Sequence, residues 1–131
     1  MLIGDTAVGK SCLIHSYIYN TFTDDYEPTV LDVYRGIKNV SKKQIKLEIH
    51  DTSGDENFQE NRAVTYRNTD IFMLCVAINK RDSFENIERW VSEVRSQSTC
   101  KSTPIILVLT KWDCRVCKES DLITYEELNE K

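Results

Sequence analysis

Apolar positions along the chain switch repeatedly between two periods, one strand-like and one helix-like. Leu2 and Ile3 read as the tail of a strand, and after a turn Leu13, Ile14, Tyr17 and Ile18 recur at helical spacing, predicting a helix that starts near Lys10. Ile45, Leu47 and Ile49 alternate with Lys46, Glu48 and His50, which predicts a strand with one polar face. That strand is expected to pair in a hairpin with residues 30–40 through a turn at 41–43. Residues 71–78 and 105–109 are nearly continuous apolar runs, as expected for central parallel strands covered by helices on both sides. Between them Phe84, Ile87, Trp90, Val91 and Val94 keep helical spacing after Asp82, and Glu85 three residues on completes a capping-box pattern. Trp90 reads as core rather than as a ligand. A last helix is predicted to open at Thr124, with Glu127 as its capping partner. The alternation predicts an α/β layer fold, mostly parallel with one antiparallel hairpin strand.

Composition narrows this picture. At 131 residues the chain can bury one core but not two, so a single domain with one site is expected over 1–131. Hydrophobic residues at 40% and charged residues at 29% exclude the apolar depletion of a disordered chain. A formal charge of −4 argues against an electrostatic grip on nucleic acid or on an anionic membrane, so an anionic ligand must be held locally. No apolar run approaches a membrane span and no signal-peptide pattern opens the chain, which makes a cytoplasmic protein the expectation. Five scattered cysteines suit reduced thiols, with Cys75 in an apolar run as core. Cys114 and Cys117 have zinc-type spacing, yet no second pair exists and His15 and His50 are remote in sequence, so the pair is not read as a metal site.

Two of the four glycines frame Gly4-Asp5-Thr6-Ala7-Val8-Gly9-Lys10-Ser11, a G-x-x-x-x-G-K-[ST] phosphate loop between a strand and a helix. Its backbone N–H groups and the helix N-terminus can converge on phosphate oxygens, with Lys10 as a point charge and the Ser11 hydroxyl as a Mg²⁺ ligand. Asp51-Thr52-Ser53-Gly54 follows the alternating strand. It offers a carboxylate for a water-mediated Mg²⁺ contact and a glycine whose N–H can reach a γ-phosphate. Thr29 is the candidate for a second Mg²⁺ hydroxyl. Thr110-Lys111-Trp112-Asp113 comes directly after the second apolar run, on the same carboxyl edge of the sheet. Asp113 can accept two hydrogen bonds from guanine N1–H and N2, a donor pair that adenine lacks. Lys111 would lay its stem along the base and Phe22 would stack on the other side.

With GDTAVGKSCL, YEPTV, DTSG, DSFENI and TPIILVLTKWD in this order, the chain resembles the Ras-superfamily small GTPases, and within them the Rho/Rac family. The resemblance covers the whole chain and implies a P-loop NTPase G domain with helices on both faces of the sheet. It implies GTP/GDP and Mg²⁺ as cofactors, with residues 4–12 from Gly4 to Cys12, Phe22, Thr29, Gly54, Thr110, Lys111 and Asp113 at the nucleotide. Ser11, Thr29 and Asp51 would hold the metal. Two switch loops are implied, with Tyr26 to Leu31 in the first and residues 52–66 in the second. Effectors and regulators are expected at residues 26–34, beginning at Tyr26 and ending at Tyr34, and at 52–66, beginning at Thr52 and ending at Tyr66. Leu31 stands where a Phe is usual, and His50 where Rho relatives have a Trp that helps select exchange factors.

Two departures fall at the chemistry. Thr6 replaces the usual glycine and Asp55 the water-positioning glutamine; with Gly54 and Lys10 these are the catalytic candidates. A carboxylate only accepts hydrogen bonds and repels phosphate, and Thr6 adds a branched side chain where an arginine finger would approach. The expectation is a monomeric Rho-type switch with weak hydrolysis, the alternative a GTP-locked effector-binding module resembling the Rnd members. An ATP-using P-loop kinase is disfavoured by the guanine motif. Against the family pattern the chain lacks the start of its first strand, most of helix four, the last strand and the last helix. Membrane association is expected only through a lipidated tail in a full-length protein. Lys38, Lys42, Lys43 and Lys46 read as a solvated basic turn, and Cys12 at a helix N-terminus as an inert thiol or an oxidation-sensitive one.

Overall fold

The computed structural model describes residues 1–22, 28–117 and 122–130. Tyr26 and Glu27, which open the expected first switch, lie outside the described residues, as does the side chain of Cys117 in the pair noted above. In chain order the elements are β1 (Leu2–Ile3), α1 (Lys10–Tyr19), β2 (Leu31–Val40), β3 (Lys43–Thr52), α2 (Gln59–Thr65), β4 (Phe72–Ala77), α3 (Arg81–Glu85), α4 (Ile87–Ser96), β5 (Ile105–Thr110) and α5 (Tyr125–Asn129). The five strands form one sheet in the order β2-β3-β1-β4-β5, with β2 and β3 antiparallel and every other pair parallel.

Strand alternation sorts the core into two layers. Phe72, Leu74 and Val76 of β4 join Ile3, Trp90, Val94 and Ile123 on one face of the sheet. Cys75 and Ala77 of the same strand join Leu2, Val8 and Ile14 on the other. Helix α4 covers the first face and α1 the second, so helices lie on both sides as expected. The β2–β3 turn consists of Ser41 and Lys42, both with positive φ (48° and 68°), the backbone that matches the twist of a two-residue hairpin; Lys43 already belongs to β3.

Four sequence expectations change. The helix after β4 starts at Arg81 with Lys80 as N-cap, so Asp82 lies inside its first turn and the Asp82–Glu85 capping box does not form. Ser83 sets that start instead: its hydroxyl donates to the Lys80 carbonyl (2.6 Å) and accepts from the Ala77 N–H (3.2 Å). The helix then breaks at Asn86 before α4 resumes. Of the four apolar positions in α1 only Ile14 is buried, packed with Leu2, Val8, Cys75 and Ala77; Leu13, Tyr17 and Ile18 stay exposed. β5 is an edge strand among the described residues rather than a central one, with Ile106 and Leu107 exposed. The apolar face of the hairpin is likewise open toward its tip, where Ile45 is 43% exposed, while Leu47 and Ile49 nearer the core are half-buried. The Thr124–Glu127 capping box of α5 forms as expected.

Candidate functional site

The phosphate loop bends back on itself between β1 and α1. Gly4 (φ 132°) has no room for a side chain, since a Cβ there would stand 2.3 Å from the Cys75 carbonyl oxygen. Gly9 (φ 94°) is the N-cap of α1, and Ala7 between them also takes a positive φ (61°). The Lys10 ammonium is buried and donates to the carbonyls of Gly4 and Asp5, both at 2.8 Å, so it lies folded over the loop. Burial lowers its pKa to about 8, opposed by the nearby Asp51 carboxylate. Val8 turns its side chain into the core.

Gly54 closes the loop from the side of β3. A Cβ there would fall 2.2 Å from both the Thr6 nitrogen and the Asp5 carbonyl carbon, so only glycine allows this approach of two backbones. Ser11 and Thr29 meet hydroxyl to hydroxyl at 2.9 Å. Asp51, at the carboxyl end of β3, is fully buried, and neither of its carboxylate oxygens has a hydrogen-bond partner among the described residues. Burial raises its pKa, with Ser11 and Lys10 opposing the shift. A buried carboxylate left without donors beside two hydroxyls is the oxygen-only set that a hard divalent cation takes.

Asp55 turns its carboxylate back on its own chain, accepting from the Asn57 N–H at 2.8 Å to cap the short 3-10 helix Glu56–Phe58. Its own N–H donates to the Ser53 hydroxyl (3.1 Å). The Thr52 hydroxyl donates to the Leu2 carbonyl (2.7 Å), stitching β3 to β1.

At the other end of the edge, Lys111 adopts φ 56° and Asp113 follows in the 3-10 helix Trp112–Cys117; both side chains are exposed, as is that of Phe22. The Thr110 hydroxyl bridges the two halves of the site, donating to the Val8 carbonyl (2.5 Å) and reaching the Val76 carbonyl (3.2 Å). Thr110 thus joins the base motif to the phosphate loop through backbone. Arg115 packs over Trp112 (4.1 Å) and Tyr125 (4.9 Å) and donates to the Ile123 carbonyl (2.7 Å), fastening the base motif to the start of α5.

Several partners were not legible in the sequence. The buried Asp5 carboxylate accepts from Trp90 Nε1 (2.7 Å), Arg89 Nη2 (3.0 Å) and Asn86 Nδ2 (2.8 Å), which ties the phosphate loop to α4. The one available hint was the indole of Trp90, which needs an acceptor when buried. Arg62 of α2 is buried against the Trp90 ring (4.7 Å), pairs with Glu93 and donates to the carbonyls of Ser53 (3.0 Å) and Asp55. Tyr34 donates to or accepts from His15 Nε2 (2.9 Å), pinning β2 to α1.

The structure therefore brings the loop from Gly4 to Ser11, with Thr29, Asp51, Gly54 and Thr110, to one edge of the sheet, and Lys111 and Asp113 follow Thr110 directly in chain. A sequence-family model described as the Ras family matches residues 1–130. The mostly parallel five-stranded sheet with one antiparallel pair and the phosphate loop between β1 and α1 are consistent with the α/β fold of a P-loop GTPase. The chain belongs to the Ras family of small GTPases.

Proposed function

We propose that this member is a Rho-type, Mg²⁺-dependent guanine-nucleotide switch whose intrinsic hydrolysis is slow. The observation that carries slow hydrolysis is the Asp55 carboxylate, which caps Asn57 where a water-positioning amide is expected by resemblance. A carboxylate in that place neither donates to the terminal phosphate nor stays free to orient a water. Thr6 adds a branched side chain where glycine is expected by resemblance. The orphaned Asp51 carboxylate with the Ser11–Thr29 hydroxyl pair supports magnesium, which when bound would offset charge on the phosphate oxygens. The chain's own residues would orient the nucleotide: loop N–H groups and Lys10 at the phosphates, Gly54 N–H at the terminal one, and Lys111 with Asp113 at the base.

The Thr-Lys-x-Asp base motif at Thr110–Asp113, rather than one starting with Asn, supports the Rho-type assignment. Effectors and regulators would read residues 26–34 and 52–66. A cytoplasmic monomer, membrane-associated only through a lipidated tail, completes the proposal. Single-turnover hydrolysis of bound GTP tests it: an ordinary small GTPase turns over at about 10⁻⁴ to 10⁻³ per second, and a rate at or above that range overturns the slow-hydrolysis reading. No detectable turnover would favour the GTP-locked module. The double variant Thr6→Gly, Asp55→Gln is expected to raise the rate.

A further inference from the structure

Lys80 lies on the turn between β4 and α3, and that turn is firmly built. Its N–H donates to the Ala77 carbonyl (3.0 Å), and the buried Ser83 hydroxyl donates to its carbonyl (2.6 Å). From this platform the half-buried Lys80 side chain crosses to the phosphate loop, where Nζ donates to the Thr6 carbonyl at 2.9 Å. Among the described residues no carboxylate pairs with it, the ion pairs being made by Arg35, His50, Arg62, Arg81 and Arg89. An ammonium with three donors, one carbonyl partner and no counter-charge is held in reserve for an anion.

The place it reaches identifies that anion. Thr6 is the loop residue against which Gly54 packs, far along the loop from the helix end marked by Gly9 and Ser11. In the reading above Gly54 marks the terminal phosphate. Asp51 and Asp55 put two carboxylates on this same edge, and Lys10 alone would leave it negative before a triphosphate arrives.

We propose that Lys80 is a second cation for the terminal phosphate, leaving the Thr6 carbonyl to contact an oxygen of the γ-phosphate when a nucleoside triphosphate binds. The inference rests on the guanine-nucleotide reading and adds a residue supplied by the chain itself, from a segment outside the three nucleotide motifs. A diphosphate lacks the group Lys80 would meet, so the contact discriminates between the two nucleotide states.

The test is dissociation of fluorescent GDP and of a fluorescent non-hydrolysable GTP analogue from the Mg²⁺-bound chain, in the wild type, Lys80→Met and Lys80→Arg. Loss of one charge-assisted contact should speed release of the triphosphate analogue by about ten-fold in Lys80→Met, with GDP release little changed and Lys80→Arg close to wild type. A residue that merely braces the Thr6 carbonyl would alter both nucleotides alike; equal acceleration, or none, overturns the proposal. A wild-type chain that binds neither nucleotide would instead remove the guanine-nucleotide reading, a different and recognisable result.

Discussion

Asp51 and Lys10 are each costly to the nucleotide-free protein, and each has a part in the proposed function. Asp51 is a buried carboxylate without donors, and burial raises its pKa. The native chain thus keeps a proton that the unfolded chain gives up at lower pH, so stability contributed by the neutral acid is lost as pH rises through the raised native pKa. Asp51→Asn is expected to stabilise the nucleotide-free chain by about 1–3 kcal/mol at pH 7, with the gain vanishing in acid below the ordinary carboxylate range. Thermal melts against pH check this, and titration with magnesium and GTP should show weaker binding in the same variant. Lys10 works with the opposite charge. Its pKa falls to about 8, so between roughly pH 8 and 10.5 the unfolded chain holds a proton the native state has released, and stability rises with pH across that window. The destabilisation is fully present below 8. Phosphate charge at Lys10 would draw the proton back, so binding at about pH 8.5 should take up a proton. Calorimetry in two buffers of different ionisation enthalpy measures that uptake, and Lys10→Met should abolish it.

Between elements, the segment that follows β3 is held to α4 by one arginine. Arg62 and Glu93 pair with both side chains almost fully buried, Tyr66 donates its hydroxyl to Glu93, and Arg62 also grips the carbonyls on either side of Gly54. Such a pair is expensive to break from one side only. Arg62→Met should cost about 3–5 kcal/mol by leaving Glu93 buried without its cation, while Arg62→Met with Glu93→Leu should recover most of the loss. Urea unfolding midpoints with unchanged slope measure both. Because Arg62 bonds to Ser53 and Asp55, any movement of the loop toward a bound phosphate must repack this contact. The Asp5 carboxylate does the equivalent for the phosphate loop, so that loop and the Asp51–Gly54 motif are both referenced to α4.

For the whole molecule, apolar surface remains open on two sides, along α1 at Leu13, Tyr17 and Ile18 and along β5 at Ile106 and Leu107. Area of this kind favours self-association as concentration rises. Ligand binding acts against unfolding by mass action: free GTP at about 100 times its Kd should add about 2.7 kcal/mol. A thermal shift with Mg²⁺ and GTP that is absent with Mg²⁺ and ATP is the expected outcome, and equal shifts with both would remove Asp113 from base selection. The proposed base contacts Lys111, Asp113 and Phe22 are exposed, while Gly4, Asp5, Val8 and Lys10 of the phosphate loop are buried. Binding energy should therefore come mainly from the phosphates, with the base supplying selectivity.

The order of motifs, the strand periods and the β2–β3 hairpin, though not the exact length of its turn, were all present in the chain as written, because each depends on residues within a few positions of one another. Gly4 and Gly54 were legible as required glycines, although the atoms that forbid a side chain, in Cys75 and in the Asp5–Thr6 backbone, were not. Periodicity says that a side chain points inward, but it does not say what it meets there. Trp90 read correctly as core, yet its bond to Asp5 spans 85 positions, and only the crossing of α4 over the phosphate loop makes it. The same holds for Arg62 with Glu93, for Lys80 with Thr6, and for the edge position of β5, since each is set by which elements the sheet order makes neighbours. Local sequence determined the chemistry available at the site; the packing of distant segments decided how each group is charged, paired and held.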